Sequence, residues 1–318
     1  MIQGAIGDCW FIGALSVLAT EDAYIRGSFD PSKDDDGKIS DKEALGMTSG
    51  VYPPMFHYLR KYGMYVFRFF KNYQWRYVII DDKLPCYKRG YGEPELVFGR
   101  CRSQNEFWVP LIEKAYAKIH NCYEALISGY IDDGLTDMTA LAQSKIIFKK
   151  RGSNTVKMRD IHSGKIVKDK PAKELLWKTV IEAIKSHSMM GCSAMGAGTE
   201  HEVCYPPDVP CGILAGHAYS VIDAFSIDAK VLKERPEDYE GPEEYETKTV
   251  QLMRLRNPWG KKEWNGKFSD GSDELNDNLK LLNGYIRKRR TEFGEIDKEW
   301  FTDDANDGTF LMPFEDWW

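Results

Sequence analysis

Apolar residues recur at helical spacing in three segments of the chain. Residues 4–8 contain two glycines and an aspartate and precede an apolar run, which predicts a tight turn and then a buried helix with Cys9 in its first turn. A capping-box sequence at residues 103–106 predicts a second amphipathic helix that runs to about residue 126 and packs on the Cys9 helix. A third amphipathic helix is predicted at residues 171–187, with a proline in its first turn.

Strand-like segments dominate the rest of the chain. Residues 64–70 and 75–81 are apolar and aromatic and flank a short polar turn, which predicts a hairpin. Further strands are predicted at residues 191–195, 217–225 and 250–257. The acidic, proline-containing residues 228–249 lie between the last two strands and are predicted to be an exposed excursion on a hairpin. If those two strands pair, His217 and Asn257 come together at their ends.

The chain is long enough for two lobes. It has 318 residues, which is more than one small core usually organises. The helical pattern breaks near residues 132–134, so we expect a helical lobe at 1–133 that carries Cys9. Residues 134–318 are expected to form a mainly antiparallel β lobe that carries His217 and Asn257. The predicted fold class is α+β, with a site between the lobes.

Composition excludes several classes of protein. Lys plus Arg number 43 against 49 Asp plus Glu, a net charge of −6, so a basic surface for nucleic acid is not indicated. No apolar run approaches the roughly 20 residues that span a bilayer. The seven cysteines are odd in number and include no CxxC pair, which favours reduced thiols in the cytoplasm over disulfides or a zinc site.

Cys9 is a candidate nucleophile. At the start of a helix, free backbone N–H groups and the helix dipole favour an anion, so we expect the pKa of Cys9 to be lowered. The alternatives are a cysteine buried for packing and a signal peptide, and the lack of a preceding basic residue argues against the signal peptide. A lone cysteine cannot carry out acyl transfer, so the catalytic interpretation needs a histidine and a group that orients it.

Three motifs supply those groups in the order Cys, His, Asn. They are Gly7-Asp8-Cys9-Trp10, Gly216-His217-Ala218-Tyr219-Ser220 and Arg256-Asn257-Pro258-Trp259-Gly260. Together they resemble the catalytic blocks of the calpain family of cysteine proteases, and further similarity covers residues 75–85, 105–118 and 307–310. The resemblance implies a papain-like two-lobe fold. It also implies an intracellular, calcium-dependent cysteine endopeptidase that performs limited proteolysis of protein substrates.

The resemblance and the chemistry assign the same catalytic roles. His217 would take the Cys9 proton and later protonate the leaving amine. Asn257 would accept the other imidazole N–H and fix the tautomer of the ring. Gln3 and the Cys9 backbone N–H would hold the oxyanion.

Three further residues are assigned around these groups. Trp259 is expected to shield the His217–Asn257 hydrogen bond from water, and in calpains the similar tryptophan also holds the lobes apart before activation. By the same resemblance, Gly129 and Gly216 would bind the substrate backbone, which glycine allows to approach closely.

Calcium ions are the cofactor that the resemblance implies. Glu106 matches a ligand of the first calcium site of calpain cores, and Glu263, Asp270 and Asp307 match ligands of the second. The first-site residues that normally precede Gln3 are absent from this sequence. Thr309 stands where the second site normally has a glutamate.

The acidic segment Ser32–Glu43 has several features of an EF-hand loop. Carboxylates, Gly37 and Glu43 fall at the expected positions, although Ser32 replaces the first aspartate. A solvated acidic loop is the alternative interpretation.

The chain is expected to be part of a longer protein, because calpain cores have sequence before Gln3 and the end at Trp317-Trp318 is abrupt. Its expected partners are protein substrates together with a regulatory partner or flanking domains. The alternative function is a catalytically inactive calpain-like interaction module. Transglutaminase-type acyl transfer is a third interpretation, but that class orients its histidine with an aspartate, and Asn257 argues against it.

Overall fold

The computed structural model describes most of the chain. It covers residues 1–20, 22–27, 50–88, 90, 92–143, 145–148, 156–159, 166–167, 172–194, 200–205, 208–234, 241–293 and 307–318. The predicted EF-hand loop at Ser32–Glu43 lies outside these residues. Within the described part, no helix combines the length and apolar character that crossing a bilayer requires.

Helices and antiparallel strands alternate along the chain. The helices are α1 (Cys9–Leu18), α2 (Asp22–Arg26), α3 (Trp108–Ile119), α4 (Ile131–Thr139), α5 (Ala172–Lys185), α6 (Asp273–Phe293) and α7 (Phe314–Trp317), with 3₁₀ helices at Pro54–Tyr62 and Tyr123–Leu126. The first strands are β1 (Met64–Lys71), β2 (Gln74–Asp81), β3 (Cys86–Tyr87), β4 (Glu95–Leu96), β5 (Lys145–Phe148), β6 (Val156–Arg159) and β7 (Ile166–Val167). The remaining strands are β8 (Met190–Ser193), β9 (His201–Cys204), β10 (Pro210–Ala215), β11 (Ala218–Leu232), β12 (Tyr245–Arg256) and β13 (Thr309–Pro313). The predicted α+β class is confirmed.

The hairpin predicted at residues 64–81 is confirmed. Strands β1 and β2 pair antiparallel from Met64↔Asp81 to Lys71↔Gln74. Asn72 and Tyr73 at the turn both have positive φ, 53° and 61°. Two consecutive residues of this kind make the turn type whose twist matches that of the flanking strands.

A four-stranded antiparallel sheet forms the centre of the second half, in the order β13-β12-β11-β8. The β11–β12 pairing runs from Ser220↔Arg256 out to Leu232↔Tyr245. Residues 228–232 and 245–249 continue the two strands as a longer hairpin, so the predicted excursion at 228–249 is wrong at its two ends, whereas the exposure predicted for it holds at residues 241–249. The β-branched and aromatic residues in these extensions favour strands. In the sequence, the many charged residues of the same segment made that preference hard to recognise.

The second helix is shorter than predicted. It begins at Trp108 and ends at Ile119 instead of spanning residues 103–126, and its N-cap residue Phe107 makes no side-chain capping bond. Pro110 explains the start, because a helix that began at residue 103 would place this proline in its interior against the carbonyl of residue 106. Asn121 has φ of 83°, which ends the helix before the 3₁₀ turn.

Residues 132–134, predicted to break the pattern, lie instead in the first turns of α4. Asp132 and Asp133 favour the helix N-terminus through the dipole. Gly134 allows close packing, since an added Cβ would lie 3.0 Å from the Cβ of Ala14 in α1. The predicted lobe boundary at residue 133 thus falls within a helix that packs on α1, while the division into two lobes stays a prediction.

The first core joins α1, α3 and α4 to the β1–β2 hairpin. The rings of Phe11 and Tyr116 stack with their centroids 4.1 Å apart, and Phe69 meets Tyr116 edge-on at 5.1 Å. The predicted packing of the second helix on the Cys9 helix is therefore confirmed. All ten residues of α1 are buried, so the position of Cys9 is fixed by packing along the whole helix.

The four-stranded sheet carries a helix on each face. Helix α5 packs on the face that presents Tyr219 and Leu255, and α6 packs on the opposite face against Phe225 and Leu252. The strand that follows His217 and the strand that precedes Asn257 are consequently held from both sides.

A pair of buried acids lies at the start of α1. Asp8 and Glu113 are fully buried and interact with each other, and one Glu113 oxygen accepts the Gly99 N–H at 2.7 Å. Burial raises the pKa of Asp8 from 3.8 to about 6. Burial and the negative charge of Asp8 raise the pKa of Glu113 well above its usual range. The fold therefore favours the protonated forms of both acids.

This arrangement predicts that Asp8→Asn stabilises the protein at neutral pH. Because the folded state binds more protons than the unfolded state between pH about 4 and about 6, its free energy of unfolding falls as pH rises through that window. The shift corresponds to about 3 kcal/mol, which the variant regains at pH 7 but not at pH 4. Urea denaturation at both pH values measures the difference. The exposed control Glu93→Gln should change neither value, and a variant no more stable than wild type at pH 7 would contradict the prediction.

Candidate active site

Cys9 begins α1 and is 7% exposed. The predicted lowering of its pKa is wrong for this arrangement. Burial raises the pKa of the thiol to about 11, and the negative charges of Glu200 and Asp8 add to the effect. The backbone N–H groups of Ala218 and Trp10 face the sulfur and act in the opposite direction without reversing the shift.

His217 and Asn257 meet at the ends of neighbouring strands. His217 precedes β11, Asn257 follows β12, and both are fully buried. The imidazole Nε2 lies 2.8 Å from Asn257 Oδ1. The backbone of Asn257 is fixed by its N–H, which donates to the Gly308 carbonyl at 2.7 Å. The structure thus brings together the two side chains that the strand pairing predicted to meet.

The hydrogen bonds of Asn257 decide the protonation of the ring. Its Oδ1 accepts the Trp259 N–H at 2.9 Å, and its Nδ2 donates to the Lys262 carbonyl at 2.8 Å. These partners fix which amide atom faces His217, so Nε2 carries a proton and donates it to Oδ1. The Trp259 ring lies 4.8 Å from the imidazole, centroid to centroid, so it is adjacent to this bond, and its shielding role stays a prediction.

Helix α1 and strand β11 hold the sulfur next to the imidazole. The Ser220 hydroxyl, three residues after His217, donates to the Gly13 carbonyl one turn after Cys9, at 2.8 Å. The Cys9 sulfur lies within 4.8 Å of a His217 ring nitrogen. A thiol, an imidazole and an amide that orients the imidazole are the groups that nucleophilic acyl transfer requires.

Glu200 is a member of the site that the sequence did not reveal. Its Oε1 lies 2.8 Å from His217 Nδ1, and its side chain is 32% exposed. It precedes His217 by 17 residues and belongs to no motif. The only trace in the sequence is that two acids, Glu200 and Glu202, flank His201.

The Glu200 contact requires a proton between the two groups. A carboxylate and a bare ring nitrogen both only accept, so a separation of 2.8 Å means that one of them is protonated. Either an imidazolium faces a carboxylate, or a neutral ring accepts from a carboxylic acid. In both cases Nδ1 is engaged by Glu200 and cannot accept the Cys9 proton.

Gln3 is anchored beside the catalytic segment. Its backbone N–H donates to the Pro258 carbonyl at 2.9 Å, which ties it to the loop after Asn257. Its side-chain Nε2 donates to the Ile6 carbonyl at 2.6 Å. One of the two amide hydrogens is therefore engaged within the turn, and the oxyanion role needs the other.

The two predicted substrate-binding glycines have structural reasons to be glycine. A Cβ at Gly129 would lie 2.3 Å from the Trp10 ring, so this position packs directly on the residue after Cys9. Gly216 has φ of 75°, and its N–H donates to the Ala194 carbonyl at 2.9 Å. Both flank the catalytic residues, and their role toward substrate stays a prediction.

Three predicted calcium ligands interact with one another. Burial and the charges of Asp270 and Asp307 raise the pKa of Glu263 to about 7. Its Oε1 accepts the Gly308 N–H at 2.6 Å, and Asp307 accepts the Thr309 N–H at 2.6 Å. Carboxylates that repel each other in this way fit a hard cation chemically. Their ligand atoms do not all fall within 4.8 Å of one another, unlike the Cys9, Glu200 and His217 group.

Arginines supply positive charge to the same region. Burial lowers the pKa of Arg254 to about 10, while Asp307 and Asp270 act to raise it. The Arg256 guanidinium donates to the Thr309 hydroxyl at 3.0 Å, at the position where a glutamate ligand is expected.

Glu106, the ligand predicted for the first calcium site, is exposed in the turn before α3. A single carboxylate cannot by itself provide the six to eight oxygen ligands that Ca²⁺ takes.

Comparison with known proteins assigns the family. The family described as calpain family cysteine protease matches residues 1–318. Calpain-5 of Caenorhabditis elegans is 30% identical over 315 residues, which cover 98% of this chain and 40% of that protein. Calpain-8 of Rattus norvegicus is 30% identical over 316 residues, which cover 99% of this chain and 33% of that protein.

A plant relative is similar over a shorter range. The calpain-type cysteine protease DEK1 of Arabidopsis thaliana is 29% identical over 279 residues, which cover 87% of this chain and 10% of that protein. The chain thus spans 40% or less of the length of these relatives. The match along the whole sequence, together with the Cys9, His217 and Asn257 arrangement, shows that the chain belongs to the calpain family of cysteine proteases and has their papain-like core.

Proposed function

We propose that this chain hydrolyses internal peptide bonds of protein substrates through Cys9. The observation that carries the proposal is the His217 imidazole, oriented by Asn257 at 2.8 Å and placed within 4.8 Å of the Cys9 sulfur. His217 takes the thiol proton, and the thiolate attacks the scissile carbonyl carbon. The remaining Gln3 N–H and the Cys9 backbone N–H stabilise the resulting oxyanion.

Proton transfers complete the reaction. The His217 imidazolium gives its proton to the leaving amine as the carbon–nitrogen bond breaks, which leaves a thioester on Cys9. His217 then takes a proton from water as the water oxygen attacks the thioester carbon. The acid product departs, and the proton returns to the sulfur. Throughout, Asn257 keeps Nε2 protonated, so that Nδ1 is the nitrogen that exchanges protons.

The arrangement with Glu200 on Nδ1 is a resting state in this proposal. The pKa of Cys9 is raised to about 11, so the thiol needs a free base nearby to ionise at neutral pH. Nδ1 becomes that base only when Glu200 withdraws. Because the Glu200 side chain is 32% exposed, it can withdraw from Nδ1 into solvent.

We propose that calcium favours the active form through Glu263, Asp270 and Asp307. Burial, together with repulsion from Asp270 and Asp307, raises the pKa of Glu263 to about 7, and a bound ion would neutralise that repulsion. Asp307 lies beside Gly308, whose carbonyl accepts the Asn257 backbone N–H. The proposed calcium ligands are therefore connected to the backbone of the catalytic asparagine.

We propose a reducing cellular compartment such as the cytoplasm, and regulation by a partner or by flanking domains. The seven cysteines are all free thiols, and three of them are exposed, which supports a reducing environment. The partial coverage of the relatives supports the presence of further domains in those proteins.

A non-catalytic interaction module is the second candidate. The contact that favours it is Glu200 on Nδ1, because a permanently engaged nitrogen would leave Cys9 as an unreactive thiol. Peptide turnover separates the two functions.

The first prediction from the proposed function concerns the catalytic groups. Cys9→Ser should abolish cleavage of a fluorogenic peptide, and Asn257→Ala should lower kcat/KM about 100-fold because the imidazole loses its orientation. The control Asn276→Ala alters an exposed asparagine on α6 and should retain activity. Turnover in wild type no greater than in Cys9→Ser would instead support the interaction module.

The second prediction concerns Glu200. Glu200→Ala frees Nδ1 and should raise kcat/KM by about 10-fold or more, because a hydrogen bond to a charged group contributes about 1.5–3 kcal/mol. The matched control is Glu202→Ala, two residues along, whose carboxylate accepts the Gly212 N–H instead. A loss of activity in Glu200→Ala alone would show that Glu200 assists the histidine.

The third prediction concerns calcium. A chelator should lower peptidase activity, and Glu263→Gln or Asp307→Asn should raise the calcium concentration that half-restores it by about 10-fold or more. Calorimetry should show the same loss of affinity. The exposed control Glu246→Gln should leave both values unchanged. Activity that is insensitive to chelator, with no calcium binding, would remove calcium from the proposal.

A further inference from the structure

Three different metal-binding groups converge at the catalytic cysteine. The Cys9 sulfur, a His217 ring nitrogen and a Glu200 carboxylate oxygen all lie within 4.8 Å of one another. Within the described ranges, this is the only set of three Cys, His, Asp or Glu side chains that meets this criterion. Two of its members are buried, and the third opens to solvent.

We propose that this cluster is a binding site for Zn²⁺ that holds the enzyme inactive. Thiolate, imidazole and carboxylate are the three side-chain ligands that zinc takes in proteins. Ca²⁺ is disfavoured here because it requires six to eight oxygen ligands, and sulfur and nitrogen ligands suit borderline ions. The site is therefore chemically distinct from the Glu263, Asp270 and Asp307 set.

Charge balance favours a divalent cation in the cluster. A Cys9 thiolate and a Glu200 carboxylate carry two negative charges beside a neutral imidazole, so one Zn²⁺ neutralises the site. Without a cation, the negative charge of Glu200 disfavours the Cys9 thiolate in a buried setting. On binding, the thiol proton and the proton shared by Glu200 and His217 pass to solvent, so two protons leave for each ion bound.

The geometry needs only small adjustments. Tetrahedral zinc places such ligand atoms about 3.3–3.6 Å apart. The Glu200–His217 pair would open from 2.8 Å, and the sulfur would approach by no more than about 1.5 Å, movements within the reach of side-chain rotation. The exposed carboxylate side leaves room for a water molecule as fourth ligand and provides a path of entry.

The surroundings of the histidine match those of a zinc ligand. Zinc-bound histidines usually donate their second ring N–H to an oxygen acceptor, which fixes the ring. His217 donates its Nε2–H to Asn257 Oδ1 at 2.8 Å, so Nδ1 is presented to the cluster. Asn257 would therefore be a positioning residue for the ion as well as for catalysis.

Zinc at this site would stop catalysis by occupying both reacting groups. The sulfur would be a ligand instead of a nucleophile, and the imidazole could not exchange protons. Apart from the two protons exchanged with solvent, no covalent bond of the protein changes, so removal of the ion and return of those protons restore the thiol and the imidazole.

Cobalt binding tests the site without reference to peptidase activity. Metal-free protein is titrated with Co²⁺, whose sulfur-to-metal charge-transfer band reports a thiolate ligand and whose visible bands report four-coordination. Wild type should bind one Co²⁺ with both features, and Zn²⁺ should displace it. Cys9→Ser should lose the charge-transfer band, and Glu200→Gln should weaken binding about 10-fold or more.

Matched variants separate this site from other thiols and acids. Cys204→Ser removes an exposed cysteine and Glu202→Gln a neighbouring acid, and both should bind Co²⁺ as wild type does. Unfolding temperatures without metal establish that each variant is folded. A charge-transfer band that persists in Cys9→Ser, or equal affinity in Glu200→Gln, overturns the proposal. Intact cobalt binding in a protein without peptidase activity would contradict only the proposed function.

Discussion

The hydrogen bond between His217 and Asn257 is the constraint around which the second half of the chain is built. Ser220 pairs with Arg256 in the β11–β12 ladder, so the residues just beyond, His217 and Asn257, emerge at the same end of the sheet. Helices on both faces of the sheet hold this end in place. A buried imidazole and a buried amide are costly unless both are satisfied, and each finds its partner in the other.

The first half of the chain positions the Cys9 sulfur next to that imidazole. A helix buried along its whole length gives a rigid support, and small residues let it approach its neighbours closely. Gly134 in α4 illustrates this, since an added Cβ would lie 3.0 Å from the Cβ of Ala14 in α1. The Ser220–Gly13 hydrogen bond then fixes α1 to the strand that follows His217. Packing and one hydrogen bond between a helix and a strand therefore set the distance between the sulfur and the imidazole.

The parts of this structure that follow from local rules were predictable from the sequence. The turn of the β1–β2 hairpin and the start of α1 depend on neighbouring residues, and the motifs placed Cys9, His217 and Asn257 in chain order. Pro110 indicates in the sequence that α3 begins close to residue 108. The apparent capping box at residues 103–106 led instead to the prediction of an earlier start. The extension of β11 and β12 depends on pairing across the sheet, which charge and proline in the segment obscured.

Glu200 and the pKa of Cys9 could not be predicted because both depend on tertiary burial. No sequence spacing indicates that a carboxylate 17 residues before His217 returns to its ring nitrogen. The expectation of a lowered cysteine pKa used only the helix start, and it ignored the desolvation that the packed α1 imposes. The helix start does favour the thiolate, but the larger and opposite effect is the burial of Cys9, which only the folded structure reveals.

Magnitudes decide which effect controls the sulfur. A helix N-terminus stabilises an anion by about 0.3–1 kcal/mol. Burial and the nearby carboxylates raise the pKa of Cys9 from 9.0 to about 11, which corresponds to about 3 kcal/mol against the thiolate. The helix alone therefore cannot ionise Cys9. The state of the site depends on which positive charge comes closest to the sulfur, either a His217 imidazolium released from Glu200 or a divalent cation that takes all three groups as ligands.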